Sequence, residues 1–326
     1  MWAPFSNAPR QRWVGNTMTT TAIETSVDSS RALHSVARKT KIVGSALVGP
    51  ALILVVAINV LPAFYGFYLS LRQVFFFADE GYVGLQNYVE LFRDPFAWQA
   101  IGRSLVFTFG SLAIAVPLAL VSAMGIRRLG NWGSILLTVL LVPWAMSPIV
   151  VALLWKWILV PSPGGLVGAI FAAFGVPPQD LLTDPLLAMP TLILIGVWRN
   201  FAFAAIILTG GLGQIPRDLY KAAAVDGLGA WEAFRKITLP LLAPSLLIVI
   251  SMLTISYFNE VQTIIGLTGG GPIRQTTTLG YLLYHTGFVE LDQGRGNAIA
   301  IVMFMINMLL IALYIKILGK QPGAAA

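Results

Sequence analysis

Cysteine is absent from the 326 residues, and histidine occurs only at His34 and His285, far apart in the chain. The first absence excludes disulfides and thiolate metal sites; the second leaves a histidine-based metal cluster without ligands. Charge is scarce too. Only 11% of residues are Asp, Glu, Lys or Arg, against roughly 25% in an ordinary soluble domain. That is too little to coat a water-soluble particle of this size, and a soluble enzyme is excluded. The net charge of +7 is scattered between apolar blocks rather than gathered on one basic face, so nucleic acid is not an expected partner. No Walker motif exists: Gly319-Lys320 is followed by Gln321, and Gly269, Gly270 and Gly271 lack the Lys-Ser/Thr of a phosphate loop. The apolar segments also offer no carboxylate pair, His–Asp–Ser set or metal-ligand set for a membrane enzyme.

What the chain has is apolar length. Hydrophobic residues make up 57% of it, the mean hydropathy is +0.78, and the apolar residues run in long blocks. Six blocks stand out, at about 42–71, 103–126, 134–160, 187–212, 241–264 and 296–318. Each reaches the ~20 residues that a helix needs to cross ~30 Å of hydrocarbon. Helices satisfy their own backbone groups in lipid, so the economical assignment is an all-α membrane protein of six spanning helices. Pro143 and Pro148 are accommodated as kinks within the third. Residues 1–41, rich in Ser, Thr and Arg, read as a flexible basic cytoplasmic tail, with Met18 as an alternative start and no signal peptide. Residues 42–318 form the transmembrane domain, and 319–326 a second cytoplasmic tail.

Lysine and arginine set the orientation. With the N-terminus inside, the cytoplasmic pieces hold 14 of the 21 basic residues; the outer loops and their margins hold five, Arg72, Arg93, Arg103, Arg274 and Arg295. This positive-inside bias places both termini in the cytoplasm.

The inner loop 213–240 carries the strongest local pattern. It runs from Ile215-Pro-Arg-Asp-Leu-Tyr-Lys-Ala-Ala-Ala-Val-Asp-Gly to Ile237-Thr-Leu-Pro240 and reads as two short helices. Pro216 suits the first turn of a helix and Gly227 the left-handed position past its end; Pro240 would end the second helix. Leu219, Ala222 and Ala223 share one face, where small side chains permit close approach. A solvated amphipathic connector would share these features.

This loop resembles the "EAA" loop of ABC-importer permeases: Ala222, Ala223, Asp226, Gly227 and the Ile237-to-Pro240 end match, while Lys221 stands where the family has Glu. Gly84-Leu-Gln-Asn-Tyr88 with Leu91-Phe-Arg-Asp-Pro95 resembles the first outer loop of the sugar-type members. Pro143-Trp-Ala-Met-Ser-Pro148 and Trp155-Lys-Trp157 resemble their third span, and Leu267-Thr-Gly-Gly-Gly-Pro272 the outer loop after the fifth. The resemblance implies the type I importer permease fold of the maltose-type carbohydrate family, in the cytoplasmic (inner) membrane. It implies a second homologous permease, two ATPase subunits that hold ATP and Mg, and an extracytoplasmic solute-binding protein as partners. No cofactor is expected on this chain. Leu219, Lys221, Ala222, Ala223, Asp226 and Gly227 would couple to the ATPases.

Polar residues inside spans are costly and point to a pathway or a pair. Arg199 and Asn200 lie near the middle of the fourth block, and Asn259 and Glu260 in the outer third of the fifth, near Tyr257. Arg199, Asn200, Phe203, Tyr257 and Glu260 fall where maltose-type permeases line their sugar site, and Asn259 joins them as a candidate. Arg199 and Glu260 could equally form a structural ion pair. Lys156 is expected to snorkel to the interface, with Trp155 and Trp157 beside it in the aromatic belt. The competing function is an ion-coupled secondary transporter, for which Glu260 would be the single intramembrane acid; no internal repeat supports it.

Overall fold

The computed structural model describes residues 49–319 except 163 and 178, with nothing stated of the Asn131 side chain. The expected tail at 1–41 lies outside the described residues, as does the one at 319–326 beyond Gly319. By its contacts the chain divides after Tyr65. In the first unit, residues 49–65 form apolar helix with a wide-turned stretch at Val56–Val60 and no buried side chain in that stretch. This helix, α1, runs Gly49–Ser70.

In the second unit the helices are α2 (Gln86–Arg93), α3 (Pro95–Arg128), α4 (Asn131–Ala145), α5 (Pro148–Ile158), α6 (Leu166–Ala173) and α7 (Ala188–Gly213). There follow α8 (Arg217–Val225), α9 (Ala230–Leu241), α10 (Ala243–Phe258), α11 (Gln262–Leu267), α12 (Leu279–Tyr284) and α13 (Gln293–Leu318). Four of the expected spans are single helices long and apolar enough to cross a membrane: α1, α3, α7 and α13. The third and fifth are not. The block 134–160 is two helices, α4 and α5, meeting at 95°, and α9 meets α10 at 68°.

Proline chemistry accounts for both corrections. Pro148 does not kink a continuous helix but opens a new one, because its ring disfavours helical geometry at Ser147, which sits at ψ 133°. Pro240 does not end its helix either. A wide turn at Phe234–Thr238 precedes it, and the helix continues to Leu241 before breaking at Leu242, with Pro244 in the first turn of α10.

A two-stranded antiparallel hairpin, β1 (Arg72–Phe75) and β2 (Ala78–Tyr82), departs from the all-helical expectation. Phe76 and Phe77 make its turn at positive φ (49° and 62°), and Arg72 pairs with Asp79 at 2.6 Å. The Arg72 guanidinium holds the Asp79 carboxyl below its ordinary range.

The core is built on α3 against α7. Ala115, Ala119 and Ala123, one turn apart on α3, are fully buried with Ala204, Ala205, Leu208 and Leu212 of α7. Lipid supplies no hydrophobic drive between helices, so association rests on close backbone approach, which small residues allow. Arg127, at the end of α3, donates to the carbonyl of Leu212, at the end of α7. The two helices therefore run parallel, side by side. A second cluster, with Leu91, Ala97, Phe258, Leu279 and Ile299, joins α2, the start of α3, α10, α12 and α13.

Candidate functional site: a buried ion pair between two helices that flank the inner loop

Arg199 on α7 and Glu260, just past the end of α10, meet with Nη1 to Oε2 at 2.9 Å; both side chains are largely buried, at 13% and 9% exposure. Glu260 is not inside a continuous fifth span, as the apolar block suggested. α10 stops at Phe258, and Asn259 is its cap residue. Glu260 takes up a backbone donor left free at this break, while Asn259 adds a second donor to a carbonyl that already accepts its own N–H. Asn259 Nδ2 donates to the Ile255 carbonyl at 2.9 Å, and the Thr263 N–H donates to Glu260 Oε1 at 3.0 Å, opening α11. Glu260 thus uses one oxygen to start a helix and the other to hold a cation. α11 in turn packs hard on α5: a Cβ on Gly266 would come within 2.5 Å of the Ala152 Cβ.

Asn200 and Tyr257 share the core of this arrangement. Asn200 Nδ2 donates to the Gly196 carbonyl at 3.0 Å, and the Tyr257 hydroxyl reaches the same oxygen at 3.5 Å. Phe107 of α3 closes edge-on against Tyr257, with ring centroids 6.0 Å apart. Arg199 Nε is buried with no partner among the described residues, leaving one donor of the guanidinium free beside a satisfied pair.

Phe203 and Asn259 stand apart from that cluster. Phe203, one turn beyond Arg199, stacks flat on Trp144 of α4, at 4.5 Å and 8°. Asn259 is exposed and accepts from Asn307 of α13 at 3.4 Å, in a groove of about 410 Å³ lined by Phe304 and Met308 as well. Trp144, Asn307 and Phe107 were missed in the sequence. Asn307 carried the same signal as Asn200, a lone amide in an apolar run, and Trp144 lies inside the Pro143-to-Pro148 motif. Phe107 carried no signal. Trp155 packs edge-on against Trp198 at 5.4 Å rather than standing in a belt alone, Trp157 is exposed, and Lys156 borders a cavity with Asp180.

The inner loop forms the two short helices that its sequence predicts, α8 and α9. Pro216 stands immediately before α8, and Gly227 takes φ +75°, where a side chain would be strained. Ala223 is buried, while Leu219 and Val225 are exposed; Ala222 and Asp226 are exposed as well. Lys221 pairs with Asp218 on its own helix at 2.8 Å, both in solvent. The Tyr220 hydroxyl meets Thr238 Oγ1 at 2.9 Å, fastening α8 to α9. Among the described residues no three His, Asp or Glu side chains gather into a metal-binding group.

Comparison with known proteins gives one consistent picture. Residues 115–318 match the family model described as "Binding-protein-dependent transport system inner membrane component". The trehalose/maltose transport system permease protein MalF of Thermococcus litoralis is 32% identical over 276 residues, covering 84% of this chain and 92% of that protein. The sn-glycerol-3-phosphate transport system permease protein UgpA of Escherichia coli is 32% identical over 279 residues, covering 84% and 93%. Among solved structures, a chain of a bacterial ABC transporter that imports the acidic polysaccharide alginate superposes with a TM-score of 0.75 at 20% identity, covering 90% of this chain and 99% of that one.

Proposed function

Because the chain belongs to the family of binding-protein-dependent transport inner membrane components, we propose that it is one permease subunit of an ATP-driven importer for a saccharide or related polyhydroxy solute. It is a permease subunit and not an enzyme; ATP hydrolysis belongs to separate subunits. The relatives named for trehalose, maltose and glycerol phosphate support a solute rich in hydroxyl groups. A binding protein, a second permease and two ATPases complete the assembly. The bent pairs α4–α5 and α9–α10 each count as one span, giving six with both termini inside, in line with the positive-inside bias.

One observation carries this reading. The helices that flank the inner loop are the helices that hold the buried ion pair: α7 carries Arg199 and runs into α8, while α9 runs through α10 to Glu260. Displacing α8 and α9 therefore moves the polar cluster directly. ATPase closure on the small-residue face of α8 would tilt α7 and α10 and switch access to the cluster from one side of the membrane to the other. Arg199 Nε is a donor that the protein leaves unused but buried, and a movement of α7 against α10 would have to uncover it for a solute hydroxyl.

The test is uptake by vesicles that contain the full set of subunits. Vanadate should abolish it and an ionophore should leave it intact. Uptake that survives vanadate and collapses with the ion gradient would replace this reading with ion-coupled transport.

A further inference from the structure

Outside the polar cluster, three arginines line a cavity of about 390 Å³ between the end of α3, the end of α7 and the helices α8 and α9. Arg127 and Arg128 enter it from α3 and Arg217 from the first turn of α8, over a floor that includes Met124 and Leu212. No acidic residue lines it. The neighbouring acids are already engaged: Asp218 holds Lys221, and Glu232 holds Lys236 at 3.2 Å. Arg127 is committed in part to the Leu212 carbonyl, while Arg128 and Arg217 have no hydrogen bond or ion pair among the described residues.

We propose that this cavity seats the phosphate of an anionic phospholipid from the inner leaflet. Arginines at a helix C-terminus complement its dipole and mark topology without binding anything, and Arg127 and Arg128 alone would be no more than that. A third guanidinium arriving from a different helix, around a cavity without a counterion, is the arrangement that recognises a phosphate. The neighbouring apolar surface favours a lipid over free phosphate. Leu129, Trp132 and Ile135 follow directly in the chain and are all exposed, as a flank for acyl chains at the membrane interface would be. The motor subunits are an unsuitable occupant. At about 100° per residue, Arg217 and Tyr220 lie on the side of α8 roughly opposite Leu219 and Ala222, the exposed part of the proposed docking face; Ala223, its third member, is buried. A lipid here would brace α8 against α3, so the leaflet's charge would bear on how readily the loop moves.

The placement at the inner leaflet rests on the orientation proposed above, but binding can be read without transport. The full chain, purified in mild detergent with the subunits it assembles with, is titrated by native mass spectrometry with phosphatidylglycerol and with phosphatidylcholine of the same acyl chains. The wild type should retain the anionic lipid preferentially. Arg128→Gln and Arg217→Gln should each weaken retention about fivefold, and Arg217→Lys should restore most of it. Arg235→Gln, which removes an inner-loop charge outside the cavity, should stay within about twofold of wild type. Equal retention of the two lipids, or losses in Arg128→Gln and Arg217→Gln no larger than in Arg235→Gln, would overturn the proposal. Binding of inorganic phosphate with no preference between the lipids would remove the lipid as occupant. Each of these failures leaves the transport reading standing, since uptake is not measured.

Discussion

Replacing Glu260 by Gln separates charge from shape. The amide oxygen can still accept from the Thr263 N–H, so the start of α11 survives, but the Arg199 guanidinium, at 13% exposure, loses its counterion. Breaking one partner of a buried pair costs about 3–5 kcal/mol, most of it the desolvation of the charge left behind. Arg199→Gln strands the carboxylate in the same way. The double variant strands neither, and its cost should be no larger than that of either single change. A double-mutant cycle on unfolding of the purified chain should then give a coupling energy at least as large as one single loss, about 3–5 kcal/mol. Glu260→Ala should lose a further ~1 kcal/mol, because the helix start loses its acceptor. Strictly additive losses would refute the argument: the two groups would then be anchored independently, and no movement of one helix would be felt by the other through this contact.

In the inner loop, Gly227→Pro forces φ to about −65° on a residue that sits at +75°, and Ala223→Asp buries a charge in a position only 6% exposed. Both should abolish uptake while membrane insertion, followed by fractionation, is unchanged; normal uptake by either would count heavily against a coupling role. In the hairpin, the Asp79 carboxyl is held below its ordinary range by Arg72. The pair should stabilise β1 and β2 at neutral pH and let go as pH falls through that lowered value. Hydrogen exchange over residues 72–82 should therefore be faster in Asp79→Asn at pH 7, with the difference vanishing in strong acid.

The bundle was legible because lipid-facing helices carry their signal in every residue, so long apolar blocks mark them without any knowledge of packing. The inner loop was legible for a different reason: Pro216 and Gly227 each have a backbone preference that acts locally. The breaks were not. The apolar run 134–160 is as long as one crossing, and hydropathy cannot distinguish one straight helix from two shorter ones joined at a right angle. Pro143 and Pro148 announced a distortion, but only the geometry at Ser147 shows which of them starts a helix. The hairpin hid because Phe76 and Phe77 occupy turn positions that usually call for Gly or Asn, and they read as the end of an apolar stretch. The polar cluster was legible in Arg199, Asn200, Tyr257 and Glu260, each conspicuous in hydrocarbon. Asn259 was conspicuous too, and Phe203 entered only through the family resemblance; neither route says which way a side chain points, and these two turn to Asn307 and Trp144.

The alanine seam of α3 and α7, tied at one end by Arg127, joins those two helices into a single packed pair. Interlocked side by side, the two backbones would move together, so under the transport reading proposed above a push delivered at α8 would be felt along both. Flexure would then fall where the ladder of helical bonds is interrupted: at Pro117 within α3 itself, at Met146 and Ser147, and at Leu242. A paired lever of this kind would turn a small displacement at one end into a larger one at the other.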